Sequence, residues 1–162
     1  MDTIKKSAVF SSCRKYRYSL TRSWSLTENY VLFIGLNPSI ADETIDDPTL
    51  TRCINFAKDW GYGGLIMVNL FAYMSTYPSE LKKAKLPVGK ENNKYILKSH
   101  QNSQLTVVAW GNDGYFLERD KEVLTIISNP MCLNINKSGQ PAHPLYQKKD
   151  QELTSFINKL CS

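Results

Sequence analysis

The stretch YVLFIGL at residues 30–36 decides how this chain is read, because it carries no charge and leaves no face for solvent. A half-exposed strand alternates polar and apolar residues. A continuous apolar run of this length, closed by the turn-forming NPS, is a strand covered on both sides. Three further runs have the same character: GLIMVNLF at 64–71, LTVVAWG at 105–111 and MCLNIN at 131–136. Helical patterns lie between them. Asp47 followed by Pro48 predicts an N-cap with proline in the first turn, Leu50, Cys53, Ile54 and Ala57 supply the apolar stripe, and Gly61 ends it. Further helices are expected at 78–85, 90–101, 116–128 and 148–160. Strands alternating with helices predict a doubly wound three-layer α/β/α sandwich with a four-stranded parallel central sheet. Ahead of it, SAVFSS at 7–12 and RYSLTRSW at 17–24 alternate, and predict a small antiparallel hairpin at the sheet edge.

Length and composition agree with one α/β domain over residues 1–162. The chain has 162 residues, 42% hydrophobic and 22% charged, which excludes disordered, collagen-like and coiled-coil classes. No apolar run reaches the length a bilayer requires, so no membrane partner is expected and a cytoplasmic location is. Cys13, Cys53, Cys132 and Cys161 form no CxxC pair, and His100 and His143 are the only imidazoles, so neither a metal site nor a cofactor is expected. Charge is uneven: residues 1–30 carry a net +4, residues 31–80 a net −4 and residues 81–162 a net +5. The basic total permits a nucleic acid or nucleotide partner, while the acidic middle has to turn away from a phosphate backbone. Oligomeric state is not set by the sequence.

In open parallel sheets ligands bind beyond the carboxyl ends of the strands, near the point where strand order reverses. GLNPS at 35–39, NLFAYMST at 69–76 and WGNDG at 110–114 fall at such ends, and GQPAHPLY at 139–146 follows the last strand. Asn37, just before a proline, is either a turn cap or an amide aimed rigidly into the crevice. His143, between Pro141 and Pro144, sits in a stiff loop as either a structural or a functional imidazole. The acidic run ADETIDD at 41–47 is either a solvated turn leading into a helix cap or a holder of a hydrated divalent cation. Arg17, Arg22 and Arg52 either grip phosphate or pair with that acidic run.

Six motifs in order, GLNPS, DDPTLTRC, WGYGG, NLFAY, WGNDG and GQPAHPLY, resemble the bacterial and phage family of domain of unknown function 1643 across residues 17–146. A looser resemblance connects the chain to the uracil-DNA glycosylase superfamily, which has the same order of strands and helices. GLNPS is similar to its GINPG-type motif through Gly35, Asn37 and Pro38, and AHPLY to its HPSP-type motif through His143 and Pro144. The chain departs from these motifs at Ser39, where glycine is common, and at Leu145, where a phosphate-gripping serine is usual.

The second resemblance implies an enzyme that cleaves an N-glycosidic bond to release a damaged, mismatched or modified base. Such a site holds water under the anomeric carbon and offers a donor to the departing base. Asn37 would then position water and His143 would donate to the base. Gly35, Pro38, Ser39, Asn69 and Asn112 would line the base or nucleotide site. Phe71 or Tyr73 would stack on the base, and Leu145 would wedge into the vacated stack. Arg17, Arg22 and Arg52 would hold phosphate. The alternative implied by the same fold is a non-catalytic module that recognises a nucleotide or modified base, in phage and host conflict for instance.

Overall fold

The computed structural model describes residues 5–156. Its strands are β1 (Lys5–Phe10), β2 (Arg17–Ser23), β3 (Tyr30–Gly35), β4 (Gly64–Asn69), β5 (Leu105–Val108), β6 (Met131–Cys132) and β7 (Thr154–Ser155). Its α-helices are α1 (Pro48–Asp59), α2 (Pro78–Lys83), α3 (Asn92–Gln101) and α4 (Arg119–Ile126). The strands form one mixed sheet in the order β1-β2-β4-β3-β5-β6-β7. β3 pairs in parallel with both β4 and β5, and β5 with β6, while β1, β2 and β7 join antiparallel.

The four apolar runs begin at these four parallel strands, and the first shows why no polar face was visible. Val31 and Phe33 point to the α1 side of the sheet, whereas Leu32 and Ile34 point to the side of α2, α3 and α4. All four side chains are fully buried, and each contributes on the order of 1.5–3 kcal/mol of transfer free energy. The expected start of α1 is present as well, since Asp47 accepts the Leu50 N–H at 2.8 Å with Pro48 in the first turn.

Among the described residues the sheet has seven strands and is mixed, where a four-stranded parallel sheet with a small antiparallel hairpin at its edge is expected. The hairpin continues the sheet because β2 pairs with β4, from Leu20 opposite Met67 to Ser23 opposite Gly64. The expected helix at 148–160 is absent over its described part. Thr154 and Ser155 pair with the otherwise open edge of β6, and Phe156 is buried against Trp110 with ring centroids 6.2 Å apart. Residues 157–160 of that expectation lie outside the described residues. The expected helix at 116–128 begins late, at Arg119, after a 3-10 stretch over Asn112–Glu118 in which Leu117 and Glu118 both have φ of 53°.

β2 contains an irregularity that shapes the site. Val9 pairs with Ser19 but Phe10 with Arg17, so Tyr18 is an extra residue bulged out of the ladder. A bulge reverses the side-chain alternation beyond it. Arg17 therefore turns to the α1 side with Leu20 and Arg22, while Tyr18 stacks on Tyr95 of α3 at 5.4 Å. Among the described residues no helix is long and apolar enough to cross a membrane.

Candidate functional site

β3 is the point at which strand order reverses, with α1 leading to β4 on one side and the later chain reaching β5 on the other. Beyond the carboxyl ends of these strands lies a cleft of about 540 Å³. Its floor is made by Arg17, Gly35 and Asn69 from the ends of β2, β3 and β4; Asn37 and His143 stand on its walls. The amino end of α1, from Asp47 to Leu50, also opens onto it.

Asn37 is half-buried, and its carboxamide nitrogen is committed to the segment after β4. Nδ2 donates toward Ser75 Oγ at 2.8 Å, Ser75 O at 3.0 Å, Pro38 O at 3.2 Å and Tyr73 O at 3.3 Å. Two N–H groups shared among these acceptors fix the plane of the amide. Oδ1 has no donor among the described residues, which leaves a held acceptor on the cleft wall. The turn-cap and aimed-amide readings of Asn37 are thus compatible, because one end of the group does each.

His143 is held from one side in a similar manner. It precedes the short 3-10 turn Pro144–Tyr146, and its Nδ1 accepts the Leu145 N–H at 3.2 Å. An imidazole whose Nδ1 accepts carries its proton on Nε2. Among the described residues nothing bonds to Nε2, so the ring presents a neutral N–H donor. Burial holds the His143 pKa below its ordinary 6.5, against the opposing pull of Asp47, and keeps the ring uncharged at neutral pH.

Asn69 and Arg17 make the floor polar. Asn69 is 4% exposed and its Nδ2 has no hydrogen-bond partner. It lies over Gly35, its register partner in β4 and β3, so closely that a Cβ on Gly35 would stand 2.8 Å from Asn69 Oδ1. The backbone of this segment is fixed from the other face of the sheet: Asn92 Nδ2 donates to the carbonyls of Asn69 and Leu70, and Arg119 Nε to that of Leu70, all at 2.9 Å. Arg17 is also 4% exposed. Its Nη1 donates to Ala41 O at 2.9 Å and its Nε is buried without a partner. Desolvation brings its pKa down to about 10, with Asp47 and Asp42 acting in the opposite sense.

Pro38, Ser39, Asn112 and Leu145 also line the cleft. Asn112 stands at the rim, with Oδ1 accepting from Ser138 Oγ at 2.6 Å and Asn136 Nδ2 at 2.9 Å. Four expected residues lie elsewhere. Phe71 is fully buried in the opposite core against Phe116, because β4 ends at Asn69 and the strand alternation does not extend to it. Tyr73 packs edge-on against Tyr16 at 5.7 Å and reaches the site only through its carbonyl, which accepts from Asn37. Arg22, fully buried, donates to Asp46 Oδ1 and to the carbonyls of Asp42, Ile45 and Thr21. Arg52 is on the outer side of α1, in a separate groove, with Nη1 on Gln147 O at 3.3 Å.

The acidic run is a structured turn. Asp42 Oδ1 accepts from the Thr44 and Ile45 N–H groups, Glu43 pairs with Arg14, Asp46 pairs with Arg22 and Asp47 caps α1. Among the described residues no cluster of His, Cys, Asp or Glu is arranged to hold a metal ion. Two contributors were not anticipated as site residues. Asp47 lines the cleft as well as capping α1, and Ser75 anchors Asn37. The first was signalled by its closeness to GLNPS, the second only by membership of the NLFAYMST segment.

The family model described as "Protein of unknown function (DUF1643)" matches residues 17–145, from the bulged end of β2 to the turn after His143. No curated protein and no solved structure matches the chain.

Proposed function

The chain belongs to the DUF1643 family, and from the geometry of its cleft we propose that it is a uracil-DNA glycosylase-like enzyme that hydrolyses an N-glycosidic bond to release a damaged, mismatched or modified base. The observation that carries this reading is the pairing of two half-tethered groups on one cleft: an Asn37 whose Oδ1 is left open as an acceptor, and a His143 whose Nε2–H is left open as a donor. The order β4-β3-β5-β6 of the parallel strands supports the fold side of it.

In this mechanism Asn37 Oδ1 accepts a hydrogen bond from water and holds it beneath the anomeric carbon. The bond from sugar to base breaks as positive charge develops on the sugar, and negative charge develops on the base. Nε2–H of His143 donates to a base oxygen and stabilises that charge. Water oxygen then bonds to the anomeric carbon, and the proton it sheds ends on the departed base. A carboxamide takes no proton itself, so the enzyme depends on bases that leave readily. Gly35, Pro38, Ser39, Asn69 and Asn112 enclose the base, and Leu145 fills the stack it vacates.

One observation favours a second reading, a nucleotide-binding module without cleavage. Of Arg17, Arg22 and Arg52, only Arg17 reaches the cleft, which suits a small ligand better than a duplex. Incubation of the protein with oligonucleotides containing uracil, mismatched thymine and modified bases separates the two. The glycosylase reading expects free base from at least one substrate and loss of release in Asn37→Ala with folding retained. Absence of release across the panel, together with saturable binding of a mononucleotide, replaces it with the second.

A further inference from the structure

We infer that the floor of the cleft is a binding site for an anionic oxygen group, a carboxylate or phosphate, received by Arg17 and Asn69. The inference holds whether or not a glycosidic bond is cleaved, since it concerns what the floor recognises.

Both side chains are more than nine-tenths buried, both line the cleft, and both carry a buried donor with no partner: Nε of Arg17 and Nδ2 of Asn69. An unpaired buried donor is costly, and an unpaired buried cation more so. Among the described residues the other two buried arginines each face a carboxylate: Arg22, on the same strand, has Asp46 at 2.9 Å, and Arg119 has Glu122 at 3.0 Å, although its Nη1 and Nη2 make no hydrogen bond. Arg17 has one carbonyl, Ala41 O, and among the described residues no carboxylate forms an ion pair with it. Asp47 is close enough to favour its charge, but the carboxylate is occupied in capping α1.

The bulge at Tyr18 is what turns Arg17 into the cleft, and the absence of a side chain at Gly35 is what lets Asn69 lie across the floor beside it. A planar guanidinium with an open edge matches the two oxygens of a carboxylate or two of a phosphate. The amide N–H of Asn69 adds a third donor. Neutral ligands leave the guanidinium uncompensated, so the floor selects for charge.

Two sources supply this chemistry: the phosphate of a nucleotide, or a base that bears a carboxylate. Titration calorimetry of the full chain with orthophosphate, uridine 5′-monophosphate against uridine, and 5-carboxyuracil against uracil distinguishes them. At least one anionic ligand is expected to bind about tenfold or more tightly than its neutral counterpart. A preference within the nucleotide pair assigns the site to phosphate, and one within the base pair assigns it to a carboxylated base. Arg17→Gln should reduce the preference to less than about twofold, with Arg17→Lys retaining part of it. Since Arg17 also braces Ala41, Asn69→Asp serves as a second variant: it leaves that brace in place, adds a negative charge to the floor, and should abolish anion binding while thermal melting stays cooperative. Equal binding of charged and neutral ligands, no binding of any anion, or a preference that survives Asn69→Asp overturns the inference. Base release is read separately, so failure of the glycosylase reading and failure of the anion site are distinguishable.

Discussion

Replacement of Gly35 by alanine tests how the floor of the cleft is assembled. Gly35 does not have a positive φ, so an alanine there meets no backbone strain. What it meets is Asn69: the new Cβ would stand 2.8 Å from Oδ1 and 3.9 Å from Cγ. An ordinary carbon–oxygen contact is about 3.4 Å, so the carboxamide has to withdraw by roughly half an ångström. Asn69 is 4% exposed, and its backbone is tied by Asn92, so the withdrawal is a side-chain rotation against packed neighbours. Rotation of about 30° off a rotamer costs on the order of 0.5–1.5 kcal/mol, and overpacking typically 1–3 kcal/mol. The gain from a less flexible unfolded chain, about 0.4–1 kcal/mol, offsets part of this. Net destabilisation of about 1 kcal/mol is expected for Gly35→Ala in the wild-type background. In Asn69→Ala the obstructing atoms are gone, and the same change should be neutral or stabilising by up to about 0.5 kcal/mol. Urea denaturation of the four proteins gives the coupling directly, expected at about 1–1.5 kcal/mol. If Gly35→Ala costs the same in both backgrounds, Asn69 does not lie across Gly35 and this account of the floor is wrong.

Asn37→Asp should be less stable at pH 7 than Asn37→Ala, by about 1 kcal/mol, because a carboxylate would face the carbonyls of Pro38, Tyr73 and Ser75 that Nδ2 now serves; melting curves at pH 7 and pH 4 check it, with the difference shrinking in acid. His143 has a folded-state pKa held below 6.5 by burial, so the unfolded chain takes up the proton first. Stability from this group is complete above about pH 6.5 and is lost as the pH falls from there toward the folded pKa. His100, also depressed by burial, titrates in the same sense, so the comparison of wild type with His143→Ala between pH 8 and pH 5 isolates the contribution. Arg22→Ala should cost about 2–3 kcal/mol and loosen residues 42–46, read as faster amide exchange there, because it removes the ligand of Asp46 and of two loop carbonyls.

The elements of the fold that were legible in the sequence share a physical cause. A strand buried on both faces has no polar positions, so YVLFIGL and GLIMVNLF marked β3 and β4 closely, and an Asp-Pro pair before a stripe of Leu50, Cys53, Ile54 and Ala57 marked α1. MCLNIN marked β6 only in part, because the chain leaves the sheet after Cys132 to form a loop closed by the bridge between Ile135 and Pro141. β7 left no trace, since two residues that pair with an open edge carry no periodicity. The gathering of Asn37, Asn69 and His143 followed from the rule that ligands sit at the carboxyl ends of parallel strands. The roles of the arginines did not, because they depend on features of three-dimensional register. A single bulged residue sends Arg17 into the cleft, Arg22 is consumed by a loop that folds back on it, and one step around α1 carries Arg52 to the outer groove. Phe71 lies away from the cleft for a related reason, since the alternation that would aim it with Asn69 stops where β4 stops.

The claim on which the functional account rests is that Asn37 and His143 face one ligand, each with one atom held by the protein and one left open. Side-chain ¹⁵N NMR measures this directly, by following the His143 ring and the Asn37 carboxamide at neutral pH during titration with a panel of nucleoside monophosphates. The account predicts a neutral imidazole protonated on Nε2, with both sets of resonances shifting along one binding curve at a common Kd. A ring protonated on Nδ1, or a ligand that moves one residue and leaves the other unchanged, contradicts it.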